Sequence, residues 1–460
     1  MMRTTVKKSK VHLQDYDCRL DISNRLLLSR LSITEVELLQ EILFHRLDIP
    51  ITHLQQQLPH LSCEELTRAL KKGESLGLYT LGKGSVHVHK ERRKYYEIEL
   101  LKFDEDFRPD LGYLHHLLKK VPIHILPAWY SIPKSSNHIF HSIVEKFLKT
   151  PQIYERHCEE ISAQSSFFAK IIEELFSHPE QTLYLSDLQK NCDLSEQELH
   201  ESILYLEFHF ICFLSYTRVG DVWEEILTPF YEWQEFLRKE QALRPRPIFN
   251  KQLIEQLRPA PFAFVTDLGH ILQKAGQEAP LDSAQILHDL QLPRNQASHE
   301  YVEMLRSSIC ALDLASLSPH FSLRKEGKAF LALDAEKRAL YLLRCAKIEF
   351  FQDIEDSLQE RYHREIERSL AKLVGKGWVY FEDFLRHSFI AFTEEQKVTL
   401  ENVTPKSWRY RLPQYSEKEV EALRTSIFIG LFQCGKVHVG SLYGKPCFCL
   451  SDFGHMFFVS

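Results

Sequence analysis

No stretch of this sequence approaches the roughly 18 consecutive apolar residues that a membrane-spanning helix needs, so no span is expected. No two cysteines form a CxxC pair. The ten that exist are scattered singly through 460 residues, which argues against a zinc ribbon and against a disulfide framework. Only Cys447 and Cys449 lie close together, at the alternation of a strand, and most of the thiols are expected reduced and buried. No Gly-rich phosphate loop of the GxxxxGK type is read here, so the chain is not expected to hydrolyse nucleotides, and no Gly-x-Ser-x-Gly elbow presents a nucleophile. Low-complexity tracts and a long coiled-coil helix are also missing. The opening residues Met1-Met2-Arg3-Thr4-Thr5-Val6-Lys7-Lys8 carry charge with no apolar run behind them and are not expected to act as a secretory signal.

The composition that is left is that of an ordinary globular chain. Hydrophobic residues make up 44% and charged residues 26%, enough for real cores beneath a polar surface. A net charge of −6 argues against an all-over basic nucleic-acid binder but leaves local patches open. The length leaves room for about three or four domains, and the expected compartment is the cytoplasm, with association to the nucleoid allowed.

Along the chain, one pattern recurs: three helices closed by a two-stranded hairpin. In the first copy, Ile33, Val36, Leu39, Leu43 and Leu47 recur at helical spacing, and a short helix follows from Ile51 to Leu58. Ser62-Cys63-Glu64-Glu65 reads as a capping box opening a third helix that turns Leu66 and Leu70 inward. Leu78 to Leu81, a turn at Gly82-Lys83-Gly84-Ser85, and Val86 to His89 then read as a hairpin. This is the order of a winged helix-turn-helix. A second copy runs through Phe168, Ile171, Ile172 and Leu175, a short helix from Leu185, and a capping box at Ser195-Glu196-Gln197-Glu198. Strands follow on either side of Val219-Gly220-Asp221.

Further on, Phe321-Ser322-Leu323-Arg324-Lys325-Glu326-Gly327-Lys328-Ala329-Phe330 echoes Phe448-Cys449-Leu450-Ser451-Asp452-Phe453-Gly454-His455-Met456-Phe457 in its Phe, Leu, Gly and Phe. Each reads as a wing strand turning into a short helix, with the glycine permitting close approach. Leu431 to Gly440 reads as a helix end followed by a wing strand, and Val374 to Tyr380 as the same shape.

The expected class is therefore mainly α with short β-hairpins, α+β, in a tandem array of winged-helix-like domains. The expected segments are a tail at about 1–25, winged helix 1 at 26–103, a helical linker region at 104–165 and winged helix 2 at 166–243. A Pro/Arg linker follows at 244–261, then winged helix 3 at 262–333 and a C-terminal region at 334–460. Arg244-Pro245-Arg246-Pro247 with Arg258-Pro259-Ala260-Pro261 marks the strongest boundary, because repeated prolines block helix.

Catalytic and metal readings find little purchase. His87 and His89 alternate on a strand, His115 and His116 are adjacent, and His363-Arg364-Glu365-Ile366-Glu367 lacks the second histidine of a zinc helix. Asp383, Glu395 and Lys397 can be forced into the Asp…Glu-x-Lys pattern of a Mg²⁺-dependent nuclease, but that pattern needs its Glu and Lys on a strand. Thr393-Glu394-Glu395-Gln396 reads instead as a capped turn.

Nucleic-acid contact has better support. Arg68, Lys71 and Lys72 share a side of the third helix of the first copy, Lys83 sits at the hairpin tip, and Lys90, Arg92, Arg93 and Lys94 follow the hairpin. Winged-helix proteins place their groove-reading face on that helix, and these cations could neutralise several phosphates. The same residues would also serve as a plain solvated basic face. In the second copy the equivalent helix bears Glu196, Glu198, Glu201 and Glu207, which would repel phosphate, so that copy is expected to pack against protein. Arg324, Lys325 and Lys328 form a smaller basic set, and Trp408 and Tyr410 stand as partner anchors or core residues.

Glu336-Lys337-Arg338-Ala339-Leu340-Tyr341-Leu342-Leu343 resembles the opening helix of the helicase-associated winged-helix segment found with XPB-type helicases and in the TFIIH subunit that holds that helicase. Gly377-Trp378-Val379, Trp408, Leu431-Phe432 with Gly435-Lys436-Val437 and Gly440, and the closing Phe448 to Gly454 are similar to the same family. The resemblance covers the last quarter to third of the chain. It implies a non-enzymatic partner of a DNA helicase or translocase, with no catalytic residue, metal or cofactor to carry over. The chain itself has no motor motifs. The reading is thus an adaptor for a helicase or for a transcription or repair complex, with double-stranded DNA touched by the first module and no membrane involved. Its rivals are a stand-alone DNA-binding transcriptional regulator and, further off, the nuclease.

Overall fold

The computed structural model describes residues 10–133, 138–276, 281–318, 320–345, 356–404 and 407–459. The chain is mainly helical, at 56%, with small antiparallel sheets between the helices, and so is α+β. It divides into two compact units, residues 1–238 with 399–411, and residues 239–398 with 412–460. Among the described residues no helix is long and apolar enough to cross a membrane.

The first unit opens with α1 (Cys18–Leu28), α2 (Ile33–Phe44), β1 (Asp48–Pro50), α3 (Ile51–Gln57), α4 (Cys63–Ser75), β2 (Thr80–Leu81), β3 (Ser85–His87) and α5 (Lys90–Glu99). The sheet order is β1-β3-β2, so the short strand ahead of α3 pairs with the return strand of the hairpin. Four helices follow: α6 (Leu111–Leu118), α7 (Leu126–Trp129), α8 (Ile139–Phe147) and α9 (Pro151–Ser162). The opening pattern then recurs as α10 (Ser166–Ser177), β4 (Leu183–Tyr184), α11 (Leu185–Lys190), α12 (Glu196–Phe208), β5 (Cys212–Val219) and β6 (Val222–Pro229), in sheet order β4-β6-β5, before α13 (Tyr231–Leu243).

In the second unit a third copy runs from β7 (Glu255–Gln256) and α14 (Ala263–Gln273) through α15 (Ser283–Asp289), α16 (Gln296–Ala311), β8 (Ala315–Ser316), β9 (Ser322–Leu323) and α17 (Lys325–Leu331). The fourth has α18 (Ala335–Cys345), α19 (Asp356–Ala371), β10 (Val379–Tyr380) and α20 (Phe381–Ser388). The hairpin of β11 (Thr399–Thr404) and β12 (Ser407–Arg411) follows and belongs to the first unit. Then come α21 (Glu417–Thr425), a π-helical segment Ser426–Leu431, β13 (Val437–Leu442), β14 (Lys445–Leu450) and α22 (Asp452–Val459). Here the sheet order is β10-β14-β13-β7.

Two local devices generate the repetition. Ser32, Ser62, Ser195 and Ser416 each cap a helix with a reciprocating glutamate three residues on, so the orphan N–H groups of α2, α4, α12 and α21 are satisfied in the same way. The exits are alike too. A residue in the left-handed region lets the next N–H reach five residues back, to the helix's last turn: Leu78 to Gly73 over Gly77, Ile211 to Leu206 over Phe210, Leu314 to Ile309 over Asp313, and Lys436 to Leu431 over Gly435. Each exit leads into the first hairpin strand. Only two of the four use glycine, so half of these junctions carried no glycine signal.

The Phe…Gly…Phe echo is a real structural repeat. A Cβ on Gly327 would stand 2.1 Å from the Leu314 carbonyl oxygen, and one on Gly454 would stand 2.0 Å from that of Lys436. The same carbonyls accept from Arg324 N–H and Ser451 N–H, each at 3.0 Å. Only glycine fits where α17 and α22 press on those backbones.

Several expected segments are corrected. The supposed tail holds α1, whose Arg25 is 1% exposed. The 104–165 stretch is no linker, because Leu114, Leu117, Ile143 and Tyr154 are buried in it. The Pro/Arg linker at 244–261 supplies β7, which pairs with β13, and buries Ile248 and Ile254; repeated proline imposed extended chain, and a sheet edge used it. Val374 to Tyr380 gives β10, the outer strand on β14, rather than a hairpin strand. The cut at 333/334 falls within one core that holds Phe264, Leu305, Phe330, Leu342, Leu423 and Phe448 together. The β11–β12 hairpin leaves its sequence neighbours altogether: Tyr410 Oη donates to the Leu148 carbonyl and Leu400 N–H to the Lys149 carbonyl, both at 2.8 Å.

Candidate nucleic-acid interface

Helix α4 is positioned from its inner face outward. Ser62 Oγ accepts from Glu65 N–H at 3.2 Å, and the Glu65 carboxylate accepts from Ser62 N–H at 2.9 Å. Leu66, Ala69, Leu70 and Gly73 are buried against the core, and Gly73 is required because a Cβ there would meet the Tyr79 ring at 2.5 Å. Arg68, Lys71 and Lys72 lie exposed on the outer side. Lys72 is committed, its Nζ 2.8 Å from the Glu35 carboxylate on α2.

Lys83 occupies an exposed turn where Gly84 has φ +90°. The next four cations do not extend the hairpin. They open α5, because His89 ends the strand region and serves as N-cap. That helix spends two of them on structure. Arg92 donates to the Gly77 carbonyl, and Arg93 to the Leu43 carbonyl at 2.6 Å with Glu97 at 2.7 Å. Arg68, Lys71, Lys83, Lys90 and Lys94 are exposed and make no ion pair among the described residues. Three members of the sequence-derived set therefore serve folding, and five stay available to a polyanion.

Of the acidic set expected on α12, only Glu207 leaves the surface entirely, while Glu196 and Glu198 are exposed and Glu201 is half-buried. Glu196 meets Arg30 at 3.1 Å, Glu198 closes the cap on Ser195, and Glu207 is fully buried. Glu207 Oε2 accepts from Arg25 at 2.7 Å, and its other oxygen accepts from Leu214 N–H at 3.0 Å. These bonds belong to a buried network of Asp21, Arg25, Glu99, Lys102, Lys120 and Glu207, in which Arg25 reaches Asp21 at 3.2 Å and Lys102 reaches Glu99 at 2.9 Å. Burial alone would raise the carboxyl pKa values. The attraction of Lys102, Lys120 and Arg25 reverses that and brings Glu99 down to about 2. Burial is likewise overridden at Asp21 by Arg25 and Lys120, and at Glu207 by Arg25 and Lys102.

The other candidates separate cleanly. His87 faces Asp48 at 3.1 Å, and Asp383 faces Arg386 at 2.8 Å. Glu395 lies in the 3-10 turn Glu394–Gln396 and Lys397 pairs with Glu394, off any strand. Among the described residues no three His, Cys, Asp or Glu side chains gather as metal ligands. Arg324 pairs with Asp313, leaving Lys325 and Lys328 exposed. Tyr410 is buried and Trp408 half-buried. Cys447 and Cys449 are both buried on β14.

Two features escaped the sequence reading. Gly430-Leu431-Phe432-Gln433-Cys434-Gly435-Lys436 has the glycine and lysine spacing of a phosphate loop, but Val437 replaces its hydroxyl residue. In the structure helix precedes it and strand follows, the reverse of a phosphate loop, and Lys436 is buried, 3.3 Å from Glu367 and over the Phe457 ring. The buried network was missed as well. Its one signal is a charge set inside an apolar run, as at Leu206-Glu207-Phe208 and Leu101-Lys102-Phe103. Against known proteins, no family model matches the sequence and no curated protein matches it.

Proposed function

We propose that the four repeats are winged-helix modules and that the chain is a non-enzymatic adaptor working in the cytoplasm near DNA. The observation that carries this reading is the recurrence of one element order with one helix-to-strand junction, at Gly77, Phe210, Asp313 and Gly435. Winged-helix modules act by presenting a helix and a hairpin to a macromolecule. The first module offers DNA backbone the five unpaired cations on α4, the β2–β3 turn and α5. The partner is a DNA helicase or translocase, or a complex that contains one. This part rests on the likeness of α18 and of the closing β14–α22 segment to helicase-associated winged helices. Affinity capture of the full chain from its own cells, after nuclease treatment, tests the adaptor role. Stoichiometric recovery of a helicase or translocase is the expected result, and recovery of the chain alone would overturn it.

A further inference from the structure

In the first unit the loop ahead of α6 crosses the start of α13. Tyr231 N–H donates to the Pro109 carbonyl at 3.1 Å, and Leu111 N–H to the Glu232 carboxylate at 3.2 Å. Beside this crossing lies a cavity of about 230 Å³ whose polar lining is Arg108, Thr228, Tyr231, Gln234, Glu235 and Arg238. Two of these groups are left without partners by the protein. Gln234 is 8% exposed, yet its side-chain amide makes no hydrogen bond, and the buried Thr228 Oγ1 has none either. A buried polar atom without a partner loses its water and gains nothing in return, so a native structure seldom keeps one such as Thr228 Oγ1 unless a ligand or solvent completes it, and the Gln234 amide is open to whatever fills the cavity.

The charges around them are arranged unequally. Arg108 is steadied by neutral groups: its Nη1 donates to Tyr231 Oη at 2.9 Å and its guanidinium lies 5.1 Å from that ring's centre. Arg238 shares its charge with Glu235 at 3.3 Å. Two guanidiniums against one carboxylate leave the lining with a net positive charge. The donors come from a loop, a strand and a helix, so they approach from more than one plane. A flat carboxylate would satisfy one guanidinium fork; a tetrahedral oxyanion offers acceptors in several directions.

We propose that this cavity binds a small phosphate-type oxyanion, with Arg108 and Arg238 supplying charge and the Gln234 amide and Thr228 hydroxyl completing the donors. The site stands apart from α4 and does not depend on the nucleic-acid reading. Its ligand is inorganic phosphate or a short phosphomonoester, since the volume exceeds that of a bare phosphate and leaves room for a small organic group beside it.

Isothermal titration of the full-length protein with inorganic phosphate, glycerol phosphate and acetate tests the proposal. Saturable binding of one or both phosphates at about millimolar concentration is expected, with the tighter one naming the source and acetate weaker. Arg108→Gln and Gln234→Leu should each weaken it about tenfold, while Arg68→Glu should leave it unchanged. Thr228→Val, close in shape, gives a second route if either of those variants fails to fold by circular dichroism, and should also weaken binding. Absence of saturable phosphate binding, equal binding of acetate, or binding indifferent to these cavity substitutions would overturn the assignment.

Discussion

Helices α4 and α12 occupy the same place in successive modules and are built from the same local parts. Each has 13 residues, a serine cap with a reciprocating glutamate, and a left-handed exit into a hairpin. What they do with their outer faces differs. Helix α4 buries a single stripe and leaves Arg68 and Lys71 in solvent, whereas α12 buries Leu199, His200, Ile203, Leu204, Leu206, Glu207 and Phe208. Capping and periodicity therefore fix where a helix begins and ends, and tertiary burial decides whether it is a surface for a partner or the middle of a core. In α12 the residue that looked like a phosphate-repelling acid is the anchor of an ion network.

The largest expected effect lies in that network. Arg25→Ala would remove the cation that Glu207 and Asp21 share, leaving buried Glu207 with Lys102 only at 3.9 Å and Asp21 with Lys120 at 3.1 Å, and should cost about 3–5 kcal/mol in urea unfolding. Lys72→Ala on the α4 side removes only a partly exposed pair with Glu35 and should cost no more than about 1 kcal/mol. Equal costs for the two would erase the contrast between a buried and a surface helix.

Acid should separate the regions next. Asp21, Glu99 and Glu207 all titrate lower in the folded protein than the ordinary carboxylate range, Glu99 at about 2. Their contribution is thus fully present above the unfolded values near 4 to 4.5 and is lost as pH falls from there toward 2 and below. A group shifted by about two units contributes on the order of 2–3 kcal/mol over that window. Glu207→Gln should lower stability at neutral pH and flatten its fall between about pH 4.5 and 2, measured by urea midpoint against pH. An unchanged slope would mean that Glu207 does not titrate with the network.

This contrast also marks what was legible in the sequence. The helices of the first two modules, their caps at Ser62 and Ser195, and the glycine echo at Gly327 and Gly454 rest on residues within a few positions of one another, so they could be read directly. The Arg25–Glu207 pair spans 182 residues, and the apolar flank of Leu206 and Phe208 that marks Glu207 as buried says nothing of which cation it meets. The same holds for Arg93, whose partner carbonyl on Leu43 lies 50 residues back. The basic face was thus found as a set but not sorted into its bound and unbound members. The β11–β12 hairpin escaped for the same reason, because its docking residues Leu148 and Lys149 sit some 250 positions upstream.

Sorting those cations gives the next prediction, at the level of binding. Arg68→Glu with Lys71→Glu should weaken binding of duplex DNA about equally across sequences and reduce the salt slope by about 2, read by fluorescence anisotropy at several salt concentrations. Arg93→Gln should leave the slope unchanged and lower the melting temperature instead, since its guanidinium holds Leu43 and Glu97. A slope that moves with Arg93 and not with Arg68 and Lys71 would turn the interface away from α4.

The smallest effect tests the part of the comparison that is meant to be equal. Ser62→Ala and Ser195→Ala remove the same reciprocal cap from α4 and α12, and each should cost about 1 kcal/mol. The caps are both exposed and their glutamates are both shifted downward by bonds from serine, at Glu65 and at Glu198, so no burial difference separates them. Thermal unfolding of the two variants side by side gives the measurement. Matching losses would assign the whole difference between the helices to what their outer faces meet. A much larger loss at Ser195 would mean that the buried helix depends on its cap to keep Glu207 in register with Arg25, so that cap and network act as one device.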